Sequence, residues 1–442
     1  MSANHLNTSI PVSEDVLAYL FVRVLVDLCG IDPFAHAQLR TVLQLVCRTW
    51  RRVIVAHPRL WYLIFIDANT SLGDLSLDLL RSGAVPLHII LDISELDRTR
   101  FLPMVFFNNI AHQLDAAMAR CFRLTVQCEA LVPYEAVFRW LSNFNSSSVQ
   151  HITFDLYPGE DMTDAHFTSM PVLPFSLPST LSVAHSLVLL GRVITPTNLT
   201  KLVLDSVGYD EDIIYASQLS DTLQTCVGLT HLHLLHLRTV DLPARTILEY
   251  RSCYLPTLTH LHVACSHVSC CYFVTTLDLP ALTSLKFEGS GERLQCLVGD
   301  GRGHRNQGWG RVRVLTLVID ESPHAVACIL PHFPLLRQLD LRSYQTSDVA
   351  AMWNGIYGFT QHEHRPFCAE LVGIHLGCAL RTDDVRVILC DRPSGHFASD
   401  CRLTSYVAGL PGVLDVRRYT ATASTIVVDD CGSLIPDYLD FD

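Results

Sequence analysis

Two histidine pairs recur in the same phrase, His231-x-His233 and His260-x-His262, and Lys286 stands where a third copy would place it. Imidazoles grouped in this way support three chemistries. They can form a polar, solvated face. With Lys286 and Arg342 adding charge, and Asp340 beside them, they can recognise an acidic or phosphorylated segment. They can also hold a metal, a reading that draws on His260, His262, Cys265, His267, Cys270 and Cys271 lying close in sequence. That set lacks the paired C-x-x-C or H-E-x-x-H spacing of zinc sites, so no metal or other cofactor is expected. The stretch Gly299 to Gly310 is glycine-rich but has no G-K-[ST] ending to hold phosphate and magnesium, and it reads as a loop between elements. His362-Glu363-His364 is too short for the zinc-protease helix, and the carboxylate pairs Asp383-Asp384 and Asp429-Asp430 have no evident partner. Without a G-x-S-x-G elbow or a Cys-His nucleophile pair, the chain carries no enzyme signature.

The elements that place these residues follow from a recurring apolar phrase. It reads Leu229-x-x-Leu232-x-Leu234, Leu258-x-x-Leu261-x-Val263, Leu282-x-x-Leu285-x-Phe287, Leu336-x-x-Leu339-x-Leu341 and Leu371-x-x-Ile374-x-Leu376. Leu199-x-x-Leu202-x-Leu204 precedes these, Val312-x-x-Leu315-x-Leu317 is a weaker copy, and Val149-x-x-Ile152-x-Phe154 is an early one. From Leu202 to Ile374 the steps are 30, 29, 24, 30, 24 and 35 residues, long and irregular for leucine-rich repeats. The last two apolar residues of each phrase share one side of a short strand, and the first turns in from the preceding loop. Stacked copies then make a parallel sheet with one continuous core. Residues alternating with the buried pair face the opposite, concave side, which puts the four histidines in a two-by-two patch next to Lys286. Leu255-Pro256, Leu279-Pro280 and Phe333-Pro334 set the turn into several strands.

Composition bounds the rest. With 442 residues, 49% of them hydrophobic and 17% charged, the chain can build a large core and is not globally disordered. A net charge of −12 argues against a general nucleic-acid binder. The N-terminus shows no secretory signal, and the apolar stretch Val16 to Cys29 is broken by Arg23 and Asp27 and is too short to span a bilayer. The sixteen cysteines, scattered without a signal, read as buried thiols of a cytoplasmic or nuclear protein.

Residues 10–66 read as a small helical unit. Ser13-Glu14-Asp15 start a helix carrying Val16, Leu17, Leu20, Phe21, Val24, Leu25 and Leu28, which Gly30 and Pro33 end. A second helix from near Gln38 to Pro58 places Leu39, Val42, Leu43, Val46, Trp50, Val53 and Ile54 on one stripe, with Arg40, Gln44, Arg48, Arg51 and Arg52 opposite. Ile10-Pro11, Val16-Leu17, Leu20-Phe21, Leu45-Val46-Cys47-Arg48-x-Trp50-Arg51 and Pro58-x-Leu60-Trp61 resemble an F-box. The resemblance implies that Ile10, Pro11, Leu17, Leu20, Phe21, Leu43 and Val46 contact a Skp-family adaptor.

Followed by the repeats, this unit is similar to the large F-box families of mushroom-forming fungi. Ser82-x-x-x-Pro86-Leu87-x-Ile89-x-Leu91-x-Ile93 resembles their first strand region. The expected fold is α/β: a flexible N-terminus (1–9), an F-box-like helical domain (10–66), an irregular leucine-rich-repeat solenoid with a C-terminal cap (67–428) and an acidic tail (429–442). In that solenoid the parallel sheet lines the concave face and helices and loops the convex one. The function the resemblance implies is that of a non-catalytic substrate receptor of a Skp–cullin–F-box ubiquitin ligase, with a target protein on the concave face and no nucleic acid or membrane as partner. The residues alone also allow a leucine-rich-repeat scaffold or ligand-binding protein whose helical cap is only structural.

Overall fold

The structure is a computed structural model. It describes residues 13–29, 33–94, 103–128, 131–142, 148–156, 179–184, 199–205, 216–238, 252–298, 309–319, 326, 329–342, 353, 368, 370–377, 385, 388, 401–408, 414–422 and 425–434. The chain divides into two compact units, residues 1–195 and 196–442.

Glu14 and Asp15 open helix α1 (Glu14–Cys29), where carboxylates complement the unpaired amides of a first turn. The Ser13 hydroxyl accepts from the Val16 amide at 3.3 Å. Pro33 begins α2 (Pro33–Val46), a position that tolerates a missing N–H. The single helix expected from Gln38 to Pro58 is in fact two. Cys47 is extended, with φ −159° and ψ 168°, so α3 (Arg48–Ala56) starts afresh behind it. Phe21, Leu25, Val53, Ile54, Leu60 and Trp61 form the core of this helical region. The Trp61 indole N–H donates to the Ile54 carbonyl at 2.7 Å, and Phe21 meets Trp50 edge-on at 4.9 Å.

Arg40 is not on a solvated face as its helical position implied. Its guanidinium lies 4.2 Å over the Trp61 ring and donates to the Leu63 carbonyl at 3.1 Å and to the Asp78 carboxylate at 2.7 Å. Arg81 covers the same ring at 4.5 Å. A stacked and paired guanidinium is the form in which a buried arginine is tolerated.

In the first unit five strands lie parallel in chain order: β1 (Leu63–Ile66), β2 (Leu87–Asp92), β3 (Cys121–Cys128), β4 (His151–Leu156) and β5 (Thr180–Ala184). Parallel neighbours need a crossover. α4 (Leu72–Arg81), α5 (Pro103–Met118) and α6 (Leu131–Ser142) supply the first three. Ser71 caps α4 by accepting from the Asp74 amide, and Gly83, at φ +54°, turns the chain back toward β2. One register row reads Ile64, Ile89, Leu124, Ile152, Leu181, and every member is buried.

In the second unit each recurring phrase is a strand. β6 (Lys201–Asp205), β7 (His231–Leu235), β9 (His260–Ala264), β11 (Ser284–Gly289), β12 (Val314–Ile319), β13 (Gln338–Arg342), β14 (Gly373–Leu376) and β15 (Arg402–Ala408) pair parallel in that order. The short strands β8 (Cys253–Tyr254) and β10 (Leu277–Asp278) pair separately. α7 (Ala216–Thr225), α8 (Val268–Thr275) and α9 (Gly291–Val298) lie in the connections. The row Leu202, Leu232, Leu261, Leu285, Leu315, Leu339, Ile374 is buried throughout, as are the leading residues Leu199, Leu229, Leu258, Leu282, Val312, Leu336 and Leu371.

A tight turn precedes most copies and extends the phrase by one buried residue. The Leu229, Leu258, Leu282, Val312, Leu336 and Leu371 amides bond the carbonyls of Cys226, Leu255, Leu279, Trp309, Phe333 and Cys368. The parallel series ends where β16 (Leu414–Thr422) adds antiparallel to β15 and β17 (Thr425–Leu434) adds antiparallel to β16. β17 runs through the expected boundary at residue 429: Asp429 and Asp430 stand opposite Arg418 and Arg417 in the ladder. Among the described residues no helix is long and apolar enough to cross a membrane, and most of the cysteines are buried.

Two buried histidines make the first unit acid-sensitive. His36 has no hydrogen-bond partner on either ring nitrogen, and burial, with Arg40 nearby, lowers its pKa from 6.5 to about 4. His88 bonds the Thr125 hydroxyl at 3.2 Å, and burial takes its pKa to about 3. Below pH 6.5 the unfolded chain therefore binds protons that the folded chain refuses, so stability falls with pH through the window from 6.5 toward 4. We expect the urea midpoint to drop across that window and the drop to shrink in His36→Phe, followed by circular dichroism.

Candidate functional site

The outward rows of the second sheet carry the histidines. Register places Lys201, His231, His260 and Ser284 side by side in one row, and Val203, His233, His262 and Lys286 in the next. The expected two-by-two patch is thus formed. His231 and His260 stack at 4.1 Å with 8° between their planes, and His233 meets His262 edge-on at 5.1 Å.

The residue before each row positions the stacked pair. The Thr230 hydroxyl lies 3.0 Å from the Thr200 carbonyl and 2.9 Å from His231 Nδ1, and the Thr259 hydroxyl lies 3.1 Å from the Thr230 carbonyl and 2.8 Å from His260 Nδ1. Both carbonyls also accept two backbone amides. The Thr283 hydroxyl repeats the approach to the Thr259 carbonyl at 3.1 Å. Burial lowers the pKa values of His231 and His260, and His233 is taken to about 3 by burial first and by His262 second. The threonine ladder was a sequence signal that the apolar phrase overshadowed: Leu-Thr opens four successive copies, at Thr200, Thr230, Thr259 and Thr283.

Two cations of this face are already engaged. Glu288 Oε1 accepts from Lys286 Nζ at 2.7 Å and from His262 Nε2 at 2.9 Å, and these bonds hold its pKa down to about 2. Arg342 donates to Asp340 Oδ2 at 2.9 Å. Asp340 is only 4% exposed, so it is part of the sheet's packing rather than an open contact. Lys286 and Arg342 therefore do not add the free charge expected of them. Both pairings sit two residues apart on one strand, Lys286 with Glu288 and Asp340 with Arg342, a spacing that puts side chains on one face.

The sequence cluster proposed as a metal set is dispersed. His260 and His262 lie on the sheet face. Cys265, Cys270 and Cys271 are buried, with the Cys265 and Cys271 sulfurs 3.1 Å apart, and hydrogen bonding to a neighbouring thiol (Cys270 for Cys265, Cys265 for Cys271), with burial after it, raises the pKa of Cys265 and Cys271. His267 caps α8 by accepting from the Ser269 amide. Among the described residues no group of three or more His, Cys, Asp or Glu side chains could hold a metal ion. Parallel stacked imidazoles also aim their lone pairs side by side instead of at one point. Of the glycine-rich stretch only Trp309 and Gly310 are described, and Trp309 is buried against Phe333. His362 to His364 and the pair Asp383-Asp384 lie outside the described residues.

The helical region has a second candidate surface. Of the residues carried over from the F-box resemblance, Leu20 (48% exposed) and Val46 (55%) are open, and Leu17 and Leu43 are half-buried. Phe21 is core at 6%, because its helical position points it at Trp50. Ile10 and Pro11 lie outside the described residues. Val16, Tyr19, Val24, Val42 and Leu45 are also exposed. They extend the apolar surface of α1 and α2 beyond the residues expected.

No protein-family profile matches the chain, and no curated protein matches it. Among solved structures it is similar to a protein of Bacteroides fragilis, at 13% identity and a TM-score of 0.36 over 64% of this chain and 75% of that one. A likeness of that size carries no functional argument.

The protonation of the stacked pair is open to direct measurement. Long-range nitrogen–proton correlation spectra of histidine-labelled protein should show His231 and His260 neutral at neutral pH. Both should stay neutral below pH 6.5, the value at which an unperturbed imidazole half-titrates.

Proposed function

We propose that the chain is a non-catalytic substrate receptor of a Skp–cullin–F-box ubiquitin ligase. The observation that carries the reading is the exposed apolar surface of α1 and α2, with Leu20, Leu45 and Val46 open to solvent on a region whose core is already filled by Phe21, Ile54 and Trp61. Large apolar side chains left exposed together are the usual mark of a protein interface. In this reading the helical region is an F-box that docks a Skp-family adaptor through Leu17, Leu20, Leu43 and Val46, with Ile10 and Pro11 completing the contact. The parallel strands in chain order are an irregular leucine-rich-repeat solenoid, a fold whose repeated face serves binding. A target protein held on that face lies near the conjugating enzyme, and the raised local concentration of its lysines does the work that no residue of this chain does chemically. Such a receptor operates in the cytoplasm or nucleus.

A second reading, a binding scaffold whose helical region is only a cap, is favoured by the absence of a matching F-box family profile. Copurification with the adaptor separates the two. Leu20→Asp with Leu45→Asp should lower adaptor binding by about tenfold or more while circular dichroism stays unchanged, because both side chains are exposed. Phe21→Asp should instead unfold the helical region. A folded wild-type chain that fails to bind adaptor would leave the scaffold reading in place.

A further inference from the structure

Two carboxylates of the first unit stand side by side without a cation. The pairing of Ile66 with Leu91 carries Asp67 next to Asp92 at the carboxyl ends of β1 and β2, at about the 4.8 Å spacing of neighbouring strands. Asp67 Oδ1 accepts from the Asn69 amide at 3.0 Å and from the Thr70 hydroxyl at 2.7 Å, and Asp92 Oδ1 accepts from the Ser94 amide at 3.3 Å. Those donors are neutral, and neither carboxylate has an ion-pair partner among the described residues. Like charges on adjoining strands repel, so the arrangement costs stability as it stands. Alternation puts Phe65 on the same side of the sheet as Asp67. Phe34, at the start of α2 and 47% exposed, meets Phe65 at 5.7 Å with 59° between the ring planes. The two rings, the two carboxylates and Asn69 line a cavity of about 260 Å³. A larger groove of about 670 Å³ adjoins it and shares Phe34, Phe65, Asp67 and Asn69.

An anion would be repelled here, and an apolar group would leave both carboxylates uncompensated. A divalent metal takes about six oxygens or more, and two carboxylates with one side-chain amide fall short of that. We infer that the cavity takes the side chain of a lysine carried by a partner polypeptide, with the ammonium between Asp67 and Asp92 and the methylene stem along Phe34 and Phe65. A lysine stem packs on apolar surface while its head keeps polar company, and aromatic faces attract the cation as well. The head has three N–H donors, enough to serve both carboxylates at once. The adjoining groove gives room to the residues flanking the lysine, which favours a polypeptide over a free amine. The chain's net charge of −12 favours the approach of a cationic segment. This site lies in the first unit and is independent of the ligase reading.

The test is ligand-observed saturation-transfer NMR with the full chain at neutral pH, a measurement that reads weak binding. The probes are a Gly-Ser peptide with one central lysine, the same peptide with norleucine or acetyl-lysine there, and free n-butylamine. Norleucine and acetyl-lysine keep the stem and remove the charge. The lysine peptide should bind about tenfold tighter than any of the other three, with transfer strongest at its lysine side chain. Asp67→Asn with Asp92→Asn keeps an acceptor oxygen for each turn and relieves the repulsion, so the variant should fold and bind the lysine peptide about tenfold or more weakly. Phe34→Ala, at an exposed position, should cost about threefold and stands in should the double variant misfold. Equal binding of the norleucine peptide or of butylamine, indifference to these variants, or no binding of the lysine peptide would overturn the proposal. Adaptor copurification is read separately, so its loss would sink the ligase reading while leaving this one standing, and the converse also holds.

Discussion

A strand that is apolar on one side only cannot stand alone, and the second unit rests on giving each such strand a neighbour of the same kind. The inward row from Leu202 to Ile374 is buried at every position, and so is the leading leucine or valine that turns in ahead of it. Full burial of one such side chain stabilises by about 1.5–3 kcal/mol, against about 0.5–1.5 kcal/mol for a hydrogen bond. The apolar rows therefore supply the stability. The threonine hydroxyls that cross from one strand to the next add less energy but more order, because they also hold the adjoining imidazoles by hydrogen bonds.

The outward face follows from the same alternation. Residues two apart on a strand share a side, and this unit uses the spacing to close its own ion pairs, Lys286 with Glu288 and Asp340 with Arg342. The result is that Lys286 and Arg342 each have their charge offset by a carboxylate on their own strand. Burial works to the same end in the first unit, where Arg40 is accepted into the interior by lying on Trp61 and against Asp78, and His36 is accepted by giving up its charge.

The strands were legible in the sequence because leucine marks both the strand and its leading turn, and because period two is a strong signal over even five residues. The two-by-two patch followed from nothing more than that register. The ion pairs are equally visible as i, i+2 spacings, since residues two apart on a strand share a side. Cys47 could not be read as a break, since neither proline nor glycine marks it and the leucine and valine stripe continues across it. Phe21 and Leu20 differ by one position, about 100° around a helix, and sequence periodicity does not say which of two adjacent apolar residues faces the core. Arg40 reads as a polar-face residue because a buried guanidinium depends on Trp61 and Asp78, groups distant in sequence.

The connections between strands vary from 24 to 35 residues per step, yet the rows stay aligned. Alignment is kept at the edge, where one carbonyl receives the two amides and often the threonine hydroxyl of the next strand: the Thr230 and His231 amides both reach Thr200, and the Thr259 and His260 amides both reach Thr230. Each strand thus takes its place from its immediate predecessor alone, without reference to the length of chain between them. Such a molecule is indexed locally. The length of a connection can change without moving the outward side chains of the strands it joins.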